Sequence, residues 1–530
     1  MSATGDDAVR RGHGSESFFI LGEGLLGESR GGRETTSAEG VGAAPAAAPP
    51  FRFSRMGPRG RAIARAARVK LAKAMTAGGG PFGDIPAGYT YLGQFIDHDL
   101  TFDKTNVTLG TAVSPAQLLQ GRSPALDLDS LYGAGPGDPA SAKFYGPQGL
   151  KLLLGKTDAV GRGRLGVHKG FDLPRDPSQQ LAVIPDKRND ENLPVAQTQC
   201  AFIRFHNRVI TELGAGPATA NFAEARRLVT EHYQWMIRHD YLPRICDPAV
   251  VDDVFTNGRK VFEVGVNPTD VPTMPVEFSV GAFRLGHSMV RGSYNWNREF
   301  DDGAGTLDLL FNFSGTSGAL GFGSRLPSNW IADFRRLYPF QQAALKVPPA
   351  KFNFARRIDT RLATHLGDLP PGSFGATNPP SDPSNANLAF RNLARAKMVK
   401  LATGQGMATF LQGKGVSVTP LTAAQIRDGN GGASLAGLTA QQRDALVANT
   451  PLWFYVLREA ELNNGRLTGV GARIVAETFH RAMEGSAISI LRDPAFKPSF
   501  GPNAPTTFDM RDLLFFAFEG KPELLNPLGN

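Results

Sequence analysis

The segment YLGQFIDHDLTFD (91 to 103) sets Gln94, Asp97, His98, Asp99 and Asp103 within an otherwise apolar stretch. On a helix, Gln94 and His98 stand one turn apart on the same face. Asp97, His98 and Asp99 project about 100° from one another, so three adjacent polar residues can serve three different sites. An imidazole in such a setting suits proton transfer. A capped, solvated helix accounts for the cluster equally well when it is read alone. Other candidates are weaker. GRGRLG (161 to 166) spells a dinucleotide loop, but VHKGFDLP follows and no helix opens there, so a turn is expected. His232 and His239 are two turns apart, too far for the adjacent-turn metal motif, and His206 in RFHNR sits at the polar end of a buried helix. Structural roles are expected for these three.

The elements that must position these residues are mainly α. QTQCAFIRFHNRVITELG (197 to 214) carries the buried stripe Phe202, Phe205, Val209 and Leu213, and NFAEARRLVTEHYQWMIRHDYLPRI (221 to 245) follows it. Further helices are expected near 328 to 345, 386 to 400, 438 to 448, 452 to 464 and 468 to 484. Strand-like alternation is sparse, and the Pro- and Gly-rich run 366 to 384 reads as a surface loop. Residues 1 to 50, rich in Gly, Ala, Ser and Pro, read as a disordered low-complexity tail. Residues 51 to 84 form a lead-in. Within it, GPRGRAIARAARVKLAKAM (57 to 75) places Arg61, Arg65 and Arg68 at helical spacing, which predicts a basic helix with a solvated face. Residues 85 to 530 are expected to form one large helical domain with long irregular loops and very little β.

Composition excludes several classes. The chain has 530 residues, and its two cysteines, Cys200 and Cys246, cannot make a disulfide framework or a Cys-rich zinc module. No apolar run reaches the roughly 18 to 20 residues of a membrane-spanning helix. The patch SFFILGEGLL (17 to 26) is broken by Glu23, so no signal peptide is expected, and the lone cysteines fit a cytoplasmic setting. The formal charge of +8 is compatible with a non-enzymatic protein that binds nucleic acid or anionic lipid. No zinc-finger spacing, aromatic RNA-binding motif or long charge run supports that reading, and no nucleic-acid partner is expected.

Several separated motifs, in order, resemble the animal-type haem peroxidases of the peroxidase and cyclooxygenase superfamily, which has bacterial members. GQFIDHD (93 to 99) resembles the distal-histidine helix, SPALDLDSLYG (123 to 133) the calcium loop, DKRNDEN (186 to 192) the distal-arginine segment and AFRLGHSMVR (282 to 291) the proximal-histidine helix. Smaller echoes are FHNR (205 to 208), DYLP (240 to 243) and NLAFRNLAR (387 to 395). The resemblance implies a haem-dependent peroxidase that reduces hydrogen peroxide and oxidises an organic or halide donor through a ferryl haem intermediate. His98 and Arg188 would then be the distal catalytic pair, with Gln94 holding water or halide. His287 would ligate the iron of haem b, with Asn392 as its hydrogen-bond partner and Arg284 and Arg395 on the propionates. Asp97 and Glu191 match the carboxylates that become ester-linked to haem, whereas Asn192 replaces a methionine that makes a third link in one mammalian branch. Ca2+ would be held by Asp99, Ser123, the Ala125 carbonyl, Asp127 and Asp129, an alternating set that aims oxygens at one hard cation.

The resemblance stops short in RAKMVK (395 to 400), where Arg395 alone matches the family signature. Within the superfamily the competing reading is a fatty-acid oxygenase. Those enzymes carry a radical-bearing tyrosine three residues before the proximal histidine, and here that position is Arg284.

Overall fold

The computed structural model describes residues 51–529, apart from 106, 159–169, 178–180, 316–319, 324 and 370–381. The expected tail, the GRGRLG turn and most of the 366 to 384 loop lie outside the described residues. In chain order the elements that build the site are β1 (Phe53–Ser54), α1 (Arg65–Met75), β2 (Phe82–Pro86), α2 (Gly88–Leu100), α3 (Leu193–Leu213), α4 (Ala218–Met236), β3 (Met274–Pro275), α5 (Gly286–Met289), β4 (Phe354–Arg356), α6 (Leu388–Met398), α7 (Leu452–Leu462) and α8 (Gly469–Glu484). The fold is mainly α. Its sheets are two-stranded: β1 runs parallel to β3, β2 antiparallel to β4, and two further short antiparallel pairs complete the set among the described residues.

The central packing is that of α2 on α3 and α4. Phe95 of α2 stacks on Phe202 of α3 with ring centroids 4.3 Å apart, and Tyr233 of α4 meets both rings edge-on. Burying each such ring contributes about 2 to 3 kcal/mol, so the trio fixes the height of α2. Two glycines let α2 approach its neighbours closely. A Cβ on Gly88 would lie 2.3 Å from the Tyr338 ring, and one on Gly93 would lie 2.2 Å from the Tyr241 hydroxyl. α3 opens on Asn192, whose side chain accepts from the Val195 amide at 3.0 Å, and closes at Gly214 with φ of 70°. The stripe Phe202, Phe205 and Val209 is buried as expected, with Leu213 packed beside it.

Three expectations are corrected. The stretch 328 to 345 forms three short 3-10 turns rather than a helix. Asp333 caps its own turn, accepting from the Arg335 amide, and Pro339 disfavours helical geometry at Tyr338. The basic helix begins at Arg65 rather than 57, so Arg61 is off its register. Arg68 is buried and donates to the Ile63 carbonyl at 2.8 Å instead of facing solvent. The segment 282 to 291 is not one helix. A π-turn (Glu277–Gly281) and a 3-10 turn (Ala282–Leu285) precede the single turn of α5, because Gly281 adopts φ −122°, ψ −96° and breaks the spiral.

The lead-in strand is tied to that segment. Beside the β1–β3 pairing, the Met56 amide donates to Glu277 at 2.8 Å, and Arg55 lies 3.6 Å from the same carboxylate. Glu277→Ala leaves a buried amide unpaired and should cost about 1 to 3 kcal/mol of stability. Denaturant unfolding measures this, and a loss below about 0.5 kcal/mol would mean that the contact does not hold the lead-in.

Candidate active site

α2 presents Gln94 and Asp97 to a cavity whose opposite wall is the broken segment bearing Phe283, Arg284, Gly286 and His287; Tyr241 closes one side. The two sequence motifs, far apart in the chain, thus face each other across one space. His98 is fully buried. Its Nδ1 lies 2.8 Å from the Asn189 Oδ1, and the Asn189 amide nitrogen donates to Gln199 at 2.9 Å. Because the Asn189 oxygen can only accept, the proton of His98 sits on Nδ1 and Nε2 carries the lone pair. Nε2 has no hydrogen-bond partner among the described residues, and the Glu191 carboxylate stands 3.6 Å away. Sequence reading did not single out Asn189. The signal was there, a short amide directly after Arg188, yet the fixed tautomer is a property of the fold.

Arg188 is clamped. Its Nε and Nη2 donate to the two Asp186 oxygens at 3.0 and 2.7 Å, and Nη2 also donates to the His98 carbonyl at 2.8 Å. Asp186 receives Arg122 as well, at 2.7 Å. Burial would raise the Asp186 carboxyl, but the two guanidiniums outweigh it and hold the group well below the usual carboxylate range. Burial first, and then the Arg188 charge, lower His98 from 6.5 to about 3. Burial pushes Asp97 up to about 6 against the pull of Arg188 and Arg284. Gln94 donates to Glu191 and accepts from the Asn192 amide at 3.0 Å. It is thereby held at the cavity wall.

On the facing wall, Asn392 of α6 approaches His287 Nδ1 at 2.8 Å through its amide nitrogen, while its oxygen accepts from Arg284 at 2.5 Å. The resemblance implies the reverse, a ring N–H donating to the amide oxygen. Arg284 claims the oxygen here, so the amide presents its nitrogen to the ring, and the metal-ligating tautomer would require Arg284 to release that oxygen first. Trp453 of α7 lies 6.2 Å from the His287 ring and donates to the Arg284 carbonyl at 3.2 Å. Arg395 pairs with Asp103 at 2.6 Å, and its other terminal nitrogen is buried without a hydrogen-bond partner among the described residues.

On the far side of α2, Asp99, Asp127 and Asp129 bring carboxylate oxygens within 4.8 Å of one another. Ser123 donates from its hydroxyl to Asp127 at 2.8 Å and from its amide to Asp129 at 3.1 Å. The Ala125 carbonyl accepts from the Asp127 amide at 3.0 Å. Burial, reinforced by the two neighbouring carboxylates, pushes Asp99 well up. Arg122, 3.8 Å from Asp129, is the nearest balancing cation shown. The three histidines expected to be structural are so placed: His206 lies between Tyr132 and the Leu150 carbonyl, His232 between the Leu228 carbonyl and the Ser499 amide, and His239 stacks on Trp235.

Residues 95–314 match the animal haem peroxidase family. Rat thyroid peroxidase is 29% identical over 190 residues, a stretch covering 34% of this chain and 20% of that protein. Peroxidase A of Dictyostelium discoideum superposes with a TM-score of 0.57 at 15% identity, covering 91% of this chain and 94% of that one. The fatty acid alpha-dioxygenase of Arabidopsis thaliana superposes at 0.56 and 12% identity, covering 89% and 78%. The family match covers less than half of the chain, the thyroid peroxidase match spans about a fifth of that protein's length, and the two solved structures share this chain's fold.

The lowered His98 has a measurable consequence. The unfolded chain takes up this proton near 6.5 and the folded chain near 3, so His98 withdraws stability as pH falls between those values. Nitrogen chemical shifts of the His98 ring, assigned with His98→Gln, are expected to report a neutral Nδ1–H tautomer between about pH 5 and 8. A ring titrating near its ordinary value would contradict the site.

Proposed function

We propose that the chain is a haem-dependent peroxidase that reduces hydrogen peroxide and oxidises a small organic or halide donor. The observation that carries this is His98, a neutral imidazole whose Nε2 lone pair is left open by the Asn189 clamp. The residues present fit haem b. His287 lines the cavity and would ligate the iron, Arg284 lies beside it, and a buried Arg395 nitrogen with no hydrogen-bond partner among the described residues suits a propionate carboxylate. Haem iron, when bound, would supply the redox chemistry.

The chain's own part is proton transfer and electrostatics. His98 Nε2 accepts the proton from one oxygen of hydrogen peroxide and returns it to the other as water departs. Arg188, held rigid by Asp186, supplies positive charge that favours the leaving oxygen and keeps His98 unprotonated for the first transfer. Gln94 offers the cavity a hydrogen-bonding amide. Asp97, at the cavity wall, would supply one ester link to haem, and Glu191, which here accepts from Gln94, would supply a second.

Ca2+ at Asp99, Asp127 and Asp129, with Ser123 and the Ala125 carbonyl, relieves the repulsion of that cluster and ties the loop to α2, and so to His98. A second reading, a fatty-acid oxygenase, draws on Tyr241, whose ring lines the cavity although position 284 is arginine.

His287→Ala is expected to abolish the Soret band of the purified protein. His98→Ala should retain that band while peroxide reduction slows by about 100- to 10,000-fold. Peroxide reduction at the parent rate in His98→Ala would overturn the distal assignment. Oxygen uptake with a fatty acid that is lost in Tyr241→Phe would favour the oxygenase instead. Chelation is expected to lower the thermal midpoint, and added calcium rather than magnesium to restore it; a midpoint indifferent to chelator would remove calcium from the account.

A further inference from the structure

A second cavity, of about 500 Å3, opens on the surface beside α1 and is lined by Lys70, Lys73, Ala74, Arg361, Ser434 and Gly437, with Ala77 and Gly78 at its edge. This size lies within the range of small-molecule sites. Lys70, Lys73 and Ala74 fall three and four residues apart, so one face of α1 supplies them together. The adjoining face, through Leu71 and Met75, is buried against the core.

The far wall is held in place by buried bonds. The Leu362 amide donates to the Met75 carbonyl at 2.7 Å, stapling the segment that carries Arg361 to the end of α1. The Arg361 amide donates to Asp359 at 2.7 Å, and its Nε donates to the Gly432 carbonyl at 3.2 Å. The Ala433 amide donates to the Thr360 hydroxyl at 2.8 Å, which sets the loop carrying Ser434. Gly432 is needed for that approach, since a Cβ there would lie 1.7 Å from a Glu461 oxygen.

The charge of this cavity is one-sided. No carboxylate lines it, and Lys70, Lys73 and Arg361 make no ion pair among the described residues. The acids behind the wall are engaged elsewhere: Asp359 with Arg357 at 3.2 Å, and Glu461 with Arg458 at 2.5 Å and the Thr360 hydroxyl at 2.7 Å. The carbonyl end of α1 contributes about half a negative charge. Three full positive charges outweigh it. Arg361, with Nε fixed, presents its terminal nitrogens as a fork suited to a carboxylate or phosphate.

We infer that this cavity binds a small organic oxyanion, its phosphate or carboxylate between Lys70, Lys73 and Arg361 and its apolar body against Ala74, Ala77, Gly78 and Gly437. The inference does not depend on the haem reading, because none of these residues lines the cavity between Gln94 and His287.

The test is calorimetric titration of the full purified chain with hexyl phosphate, hexanoate and inorganic phosphate. Saturable binding of hexyl phosphate or hexanoate, tighter than inorganic phosphate and weakened at least tenfold in the Lys73→Gln/Arg361→Gln double variant, is the expected result. Comparing the first two probes tells phosphate from carboxylate. Circular dichroism and peroxide turnover of the variant should match the parent, and Lys73→Glu, at an exposed position, replaces it if the double variant fails to fold. Absence of saturation below about 10 mM, equal binding by variant and parent, or inorganic phosphate binding as tightly as hexyl phosphate would each overturn the assignment.

Discussion

The site depends on how two buried imidazoles are held by side-chain amides. Asn189 fixes the proton of His98 on Nδ1 and leaves Nε2 as a base, and Asn189 is itself oriented by Gln199. Asn392 meets His287 Nδ1 with the opposite polarity, through its amide nitrogen, because its oxygen accepts from Arg284. Burial gives these bonds their leverage. In water either tautomer would interconvert freely, whereas an unsatisfied group in the interior costs about 1 to 3 kcal/mol, enough to select one form. The same burial, helped by the Arg188 charge, lowers His98 to about 3 and keeps the ring neutral.

The scaffold exists to keep those amides in register. α2 is pressed against Tyr338 and Tyr241 through two glycines and against Phe202 and Tyr233 through Phe95, so His98 has little freedom along the helix axis. The facing wall is irregular where α2 is regular. Its π-turn and 3-10 turn lead into the single turn of α5 that carries His287 to the cavity, and the lead-in strand and Glu277 pin that irregular run from outside. Asp103 and Arg395 close the arrangement by joining the end of the α2 segment to the helix that carries Asn392.

Much of this was legible in the chain. The long helices were read from apolar spacing, and 388–398, 440–448, 452–462 and 469–484 lie within two residues of their expected ends. Gln94, Asp97, Arg284 and His287 were found by motif, and the fold brings them to one cavity, with His98, found the same way, buried on the helix that carries Gln94 and Asp97. What escaped was set by tertiary context. Arg68 looked like a solvated charge because its helix start was misplaced by eight residues, and 328 to 345 carried helix-compatible spacing that Asp333 and Pro339 interrupt. Asn189 carried no periodic signal, since its value lies in an acceptor distance to a histidine 91 residues away. The basic surface, unexplained by composition, resolves in part into the Lys70, Lys73 and Arg361 cavity.

The central claim is that His98 and His287 flank one haem. Titrating the haem-free chain with haemin tests it most directly. The account predicts a Soret band that saturates at one equivalent with an imidazole-ligated iron signature, and that changes on adding one equivalent of hydrogen peroxide. Haemin that binds without saturation, or a saturated band indifferent to peroxide, would contradict it.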